Sequence, residues 1–402
     1  MSSYDAVVVG AGIVGCATAW ELARRGVSVC LVDRGAVSSG TTGLGEGNVL
    51  CCDKRPGPEL SLAVRGLALY DEIEDLLGSE AGIRRKGALV VHADEEGWAA
   101  EPARLHELRA AGVECSLLDV AAVRDVEPEL RGPLLGASWF PGDLQCAPRA
   151  AARGLAREAA RLGAMVETGV EVLSIVVNDG LGKGVGPGGE GVRQVSRHIG
   201  DFLDGPPRVA GVVTRSGAIR AGYVVLACGA WSAPLARSAG VELPLEPRKG
   251  QLVRLERRPD FLRHKVIDGG YMAAVESEDA GLQISTVMET TLDGHVLVGS
   301  SRERRGFDVS VDTTVTDSLL TAAVRLAPGI ADLTTDSAWA GLRPWLPGGL
   351  PAIGPTKAAE GLFMATGHEG AGVAHGPITG RLIAQLTCGE RPDLDVAPFS
   401  PG

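Results

Sequence analysis

Two groups of residues have types and spacings suited to chemistry. The first is Gly10-Ala11-Gly12-Ile13-Val14-Gly15, which follows the apolar run Ala6-Val7-Val8-Val9. A second apolar run, Val27 to Val32, then closes on Asp33 and Arg34. Gly10 allows a tight turn off the first strand, Gly12 lets a phosphate approach the backbone, and Gly15 allows a helix to pack closely on the sheet. The freed N–H groups and positive end of a helix starting near Ile13 face that phosphate. Asp33 stands where it can accept hydrogen bonds from the hydroxyls of a ribose. Together these pieces predict a bound dinucleotide. The second group is Trp339-Ala-Gly-Leu-Arg343-Pro-Trp345. Here Pro344 stiffens the backbone beside an arginine set between aromatics, whose planar fork suits a carboxylate. Taken alone, Arg343 reads more readily as a surface or interface arginine.

The rest of the chain must position these groups. Its 402 residues allow two lobes with ample core. A net charge of −11 argues against binding a phosphate backbone, so no nucleic-acid partner is expected. No leader is expected before the first strand, and no apolar run approaches the ~18 residues of a membrane span. The eight cysteines show neither CxxC pairs nor zinc spacing, so no metal is expected and a reduced, cytoplasmic setting is the default. Adjacent Cys51 and Cys52 have no evident role.

Past Asp33, the small-residue stretch 38–48, with Thr41, Thr42, Gly47 and Asn48, suits a loop laid against a large flat ligand. Helices are expected over 59–77, near 100–111, over 148–163 and around 314–327, and from Pro377 to Cys388, with Pro in the first turn. Short strands are expected at Ala88 to His92, Leu134 to Phe140, Met165 to Thr168 and Val170 to Val177. A hairpin follows at Val209 to Thr214 and Ala218 to Arg220, and then a separate buried strand from Tyr223. Further strands are expected at Leu252 to Leu255, Gln283 to Val287, Val296 to Gly299 and Gly361 to Thr366. The glycine-dense tract 178–208 reads as a mobile hairpin tip.

In order along essentially the whole chain, four motifs resemble the D-amino-acid oxidase superfamily. They are the opening unit, the 38–48 loop, Leu226-Ala-Cys-Gly-Ala-Trp-Ser232, and Gly367-His-Glu-Gly-Ala-Gly-Val373. The resemblance implies an α/β fold in which a Rossmann-like FAD-binding domain is interrupted by a second, α+β substrate domain on a mixed or antiparallel sheet. The first would comprise 1–83, 148–235 and 335–402, and the second 84–147 and 236–334, with 178–208 as an insertion.

It also implies that Gly10, Gly12 and Gly15 hold the pyrophosphate and Asp33 the ribose, with Ala11, Ile13 and Arg34 also at the cofactor. Thr41, Thr42, Gly47 and Asn48 would lie near the pyrophosphate and flavin, and Val172 at the adenine. Ala227, Gly229 and Trp231 would close over the cofactor. Gly367, His368, Glu369, Gly370, Ala371, Gly372 and Val373 would form the turn beside the flavin, where a helix N-terminus stabilises negative charge. Gly-Leu-Arg343-Pro matches the family's carboxylate-binding arginine. Tyr271 is a candidate to hydrogen-bond the same carboxylate, although Met272-Ala-Ala-Val replaces the usual Pro-Arg. His368 is a further candidate at the substrate, and Glu369 stands where relatives carry a basic or amide residue.

The implied reaction is hydride transfer from the carbon bearing nitrogen to flavin N5, giving an imine that hydrolyses to an oxo acid. The substrate would be a carboxylate-bearing amine, and dioxygen or another acceptor would take the electrons. With no cysteine between Cys228 and Cys388, FAD is expected to be noncovalent. A nicotinamide-dependent dehydrogenase and a FAD-carrying subunit of a heteromeric complex are the alternatives. Homo-oligomerisation is left open.

Overall fold

The computed structural model describes residues 2–178 and 207–401. Two eight-stranded sheets carry the fold. In the first, Val29–Asp33 and Gly217–Leu226 flank Ser3–Val9, all parallel. Met165–Thr168 extends one side in parallel, and Leu362–Thr366 the other, with Ala352–Pro355 antiparallel beyond it. Continuous apolar runs suit this position because a parallel sheet is covered on both faces. Ala6 to Val9 and Cys30 to Val32 are indeed buried throughout. The helix Ile13–Ala23 is buried along its whole length, between the sheet and the helices Pro148–Arg161 and Gly372–Thr387.

The hairpin expected at 209–220 and the strand expected from Tyr223 form one unit. Gly217–Leu226 is a single strand whose first residues pair with Arg208–Thr214 and whose remainder pairs with Ser3–Val9. Arg208–Thr214 pairs in turn with Val172–Asn178. Apart from its ends, the glycine-dense tract expected as a mobile hairpin lies outside the described residues.

The last long helix also differs from expectation. It starts at Gly372, five residues before Pro377, and runs to Thr387. An interior proline normally breaks a helix because it has no N–H for the carbonyl four residues back. Here that carbonyl belongs to Val373, and the hydroxyl of the fully buried Tyr70, on the helix Pro58–Leu77, donates to it at 2.8 Å. The orphaned acceptor is satisfied from a neighbouring helix, so the turn before the proline stays helical. Tyr70→Phe is expected to cost about 1–3 kcal/mol in urea unfolding, the usual penalty for a buried group left unpaired. Pro377→Ala in the same chain should recover most of that loss by restoring the helical donor.

The second sheet runs in the order Thr335–Trp345, Glu246–Arg257, His295–Arg302, Gln283–Thr290, Lys265–Asp268, Ala88–His92, Gly136–Phe140 and Ser116–Leu118. Only the pair Lys265–Asp268 and Ala88–His92 is parallel. The helix Thr313–Leu326 covers one face with Leu319, Ala323 and Leu326. Residues 335–345 were expected with the nucleotide-binding segments. They belong instead to this sheet, held by a long antiparallel ladder to Glu246–Arg257 that places Arg343 opposite Arg248 and Gly341 opposite Gly250. Among the described residues, no helix is long and apolar enough to cross a membrane.

Candidate active site

One cavity of about 530 Å³ opens along the seam between the two sheets. One end is lined by Gly10, Gly12, Ile13, Asp33, Arg34, Thr41, Thr42 and Asn48, together with Val172, Ala227, Gly229 and Trp231. Asp33 accepts from the Ala11 N–H and the Gly35 N–H, both at 2.7 Å, and so ties the acid to the glycine turn. The Arg34 guanidinium lies 4.3 Å over the Trp231 ring. The 38–48 stretch is more ordered than a loop. Thr41–Leu44 forms a helical turn, and the Thr42 hydroxyl accepts from the Ile13 N–H at 3.0 Å. Thr41 donates to the Leu342 carbonyl at 2.6 Å, stitching this segment to the second sheet.

The same cavity receives a second helix N-terminus, lined by His368, Glu369, Gly370, Gly372 and Val373. Five other residues expected at the cofactor stand behind the wall: Ala11, Gly15, Gly47, Gly367 and Ala371 do not line the cavity. They shape the turns that do. His368 turns its imidazole to Thr379, with Nε2 2.9 Å from Oγ1, and burial pushes its pKa down to about 3, leaving the ring neutral.

At the far end, Arg343 crosses the face of the second sheet. From the edge strand its guanidinium lies over Gly250 of the next strand, and Nη1 donates to the Ser301 carbonyl on the third at 2.9 Å. A methyl group at 250 would stand 2.1 Å from Arg343 Nη1 and 2.6 Å from its Cζ. Gly250→Ala should therefore lift the guanidinium off the sheet and weaken carboxylate binding by up to about 10²-fold, with bound flavin retained. Titration with acetate, followed in the flavin spectrum, checks this. Neither flanking tryptophan stacks on Arg343. Trp339 donates to the Leu44 carbonyl at 2.8 Å, and Trp345 lies beneath Arg304.

Tyr271 also lines the cavity, with its ring 4.4 Å from the Arg302 guanidinium. Glu369 faces three arginines: its Oε1 is 3.4 Å from Arg302 Nε, 3.7 Å from Arg248 Nη1 and 3.9 Å from Arg343 Nε. Burial raises the Glu369 carboxyl, but these cations outweigh it and hold the group ionised. Burial, together with the neighbouring arginines, pushes Arg248 down to about 10.

Residues 5–386 match the FAD dependent oxidoreductase (DAO) family. The chain belongs to that family. It is 32% identical over 410 residues to a glycine oxidase of Pseudomonas aeruginosa, covering 99% of each chain. It is 31% identical over 409 residues to a glycine oxidase of Pseudomonas putida, covering 99% of this chain and 98% of the other. The crystal structure of glycine oxidase from Geobacillus kaustophilus superposes with a TM-score of 0.83 at 26% identity, covering 100% of this chain and 99% of that one.

The protein is thus an FAD-dependent oxidoreductase, and the nicotinamide-dependent alternative falls away. Its geometry fits that cofactor. Two helix N-termini, each a ready anion site, meet in one cavity that Asp33 also lines. As a member of the DAO family the chain also has site features that motif reading missed. Glu46 lines the cavity and pairs with Lys265 at 2.8 Å. Gly250, Arg248 and Arg302 act through strand pairing, which no local spacing reveals. Charged residues inside apolar strands were the available signal, since such residues are rarely buried without a partner.

Proposed function

We propose that this protein oxidises an amino acid or an N-substituted amino acid at the carbon bearing nitrogen, and that Arg343 holds the substrate carboxylate. The observation that carries the reading is the position of Arg343, on the roof of the same cavity that receives both helix N-termini. The similarity to two glycine oxidases supports an amine as the reacting group.

FAD, when bound, supplies the hydride acceptor. The chain's own residues bind and orient. Arg343 fixes one end of the substrate, Tyr271 and Glu369 wall the space around it, and the sheet above keeps water out. Orientation of this kind is worth ~7 kcal/mol or more in well-positioned reactions. Burial keeps the His368 ring neutral, and an amine that arrives neutral needs no strong side-chain base. The imine then hydrolyses to an oxo acid.

FAD is held without a covalent bond in this reading. Electrons pass to dioxygen or another acceptor, either directly or through a partner subunit. A reducing, cytoplasmic setting is part of this reading.

The test is anaerobic bleaching of the bound flavin near ~450 nm, a band that belongs to the cofactor itself. The panel comprises glycine, D-amino acids, N-methyl amino acids and imino acids. Bleaching by at least one of them is expected. Failure of all of them, with flavin still reducible by dithionite, would remove amine oxidation.

A further inference from the structure

Arg248 and Arg343 sit directly opposite each other across paired antiparallel strands, so their side chains leave the sheet on the same face. Like charges in that position repel. A third guanidinium, Arg302, arrives from the neighbouring strand His295–Arg302. All three come within 4 Å of the same atom, Glu369 Oε1, which leaves an excess of two positive charges in the cluster.

The contacts are close without being hydrogen bonds. Glu369 Oε1 has no donor in bonding geometry, and neither Arg302 Nε nor Arg302 Nη2 has an acceptor, although all three atoms are buried. Arg302 is only 1% exposed. Its one satisfied nitrogen, Nη1, reaches Ser285 and Ser300. Arg248, by contrast, spends its donors on the carbonyls of Ala274, Val275 and Ser277. The fully buried donors of the cluster that lack an acceptor are therefore those of Arg302. They face Glu369 and Tyr271, and both of these line the cavity.

Glu369 is placed by its turn rather than by these partners. Its φ of +46° is uncommon for a side-chain-bearing residue, its N–H donates to the Pro344 carbonyl at 2.9 Å, and its second oxygen accepts from the Gly370 N–H. A carboxylate lying among three guanidinium groups marks where a carboxylate is stabilised.

We propose that this cluster is a second carboxylate subsite beside Arg343, filled here by the side chain of Glu369, and that the substrate is an amino or imino acid with a second carboxylate that displaces Glu369 and takes the free fork of Arg302. This rests on the reading of Arg343 as the site of the first carboxylate. A substrate with one carboxylate leaves Arg302 Nε and Nη2 without acceptors, whereas the second carboxylate of a diacid supplies them.

The experiment titrates the FAD-loaded protein with acids that cannot be oxidised there, following the flavin spectrum. Malonate and succinate are compared with acetate and propionate. At least one diacid is expected to bind about tenfold or more tightly than its monoacid counterpart, the worth of one added charge-assisted contact. Arg302→Met should bring that ratio close to one, and Glu369→Gln, which removes the competing charge, should raise it. Arg302→Lys, keeping the charge without the fork, should give an intermediate ratio. A wild-type ratio near one overturns the proposal, and so does a ratio that survives Arg302→Met. The wild-type comparison decides even if a variant fails to fold. If monoacids bind and diacids gain nothing, only the second subsite falls. If neither kind binds, the reading of Arg343 falls with it.

Discussion

Arg343→Ala is expected to lower kcat/KM for the carboxylate-bearing substrate by roughly 10²- to 10³-fold or more, with FAD content unchanged. Truncating one side of a buried, hydrogen-bonded charge pair costs about 2–5 kcal/mol, and part of that is the charge left behind. The hydrogen bond and ion pair of Arg343 go to Ser301 and Glu369 rather than to the Gly10–Gly15 turn or Asp33, so the nucleotide end should not register its loss. Arg343→Lys restores the charge and not the fork, and should recover only part of the rate. Steady-state kinetics alongside the flavin-to-protein ratio separate the two effects. Wild-type kinetics in the alanine variant would take Arg343 out of the site. A colourless variant would mean the residue holds the fold or cofactor instead.

The second large effect is expected at Gly15. A Cβ there would stand 1.8 Å from the Gly10 carbonyl oxygen. Both partners are backbone, so no side chain can swing away. The helix Ile13–Ala23 would have to separate from the strand Ser3–Val9, which moves the Gly10–Gly12 turn and the helix tip that together face the phosphates. Overpacking of this kind costs about 1–3 kcal/mol in stability. The loss of FAD should be larger still, because the glycine turn is what the shift displaces. Gly15→Ala protein should purify with little flavin and melt several degrees lower, at about 2–4 °C per kcal/mol or less for a chain this long. Gly142→Ala serves as a control, since a methyl group there meets nothing within 4 Å. Full flavin occupancy in Gly15→Ala would show that the close approach does not govern binding.

Much of the nucleotide end was legible in the sequence because it is local. A strand, a turn, a helix, a second strand and an acid follow one another within 33 residues, and each has a composition of its own. Even so, nearness in sequence did not separate residues that touch the cavity from those that shape it. Gly12 and Ile13 line it, while Ala11 and Gly15 support it from behind. The start of the last helix escaped for the opposite reason. Pro377 is a local stop signal, and what overrides it is the hydroxyl of Tyr70, 303 residues from the carbonyl it satisfies.

The residue types, charge and local order of this chain already specified a dinucleotide cradle at its start, a glycine turn leading into a helix near its end, and an arginine suited to a carboxylate. Only the tertiary structure decided that Gly250 lies beneath that arginine, that Arg248 stands opposite it, and that Arg302 and Glu369 complete the cluster. The alternation of a strand tells which residues share a face. It does not tell which strand lies alongside, or in what register, because pairing is settled by contacts between segments far apart along the chain.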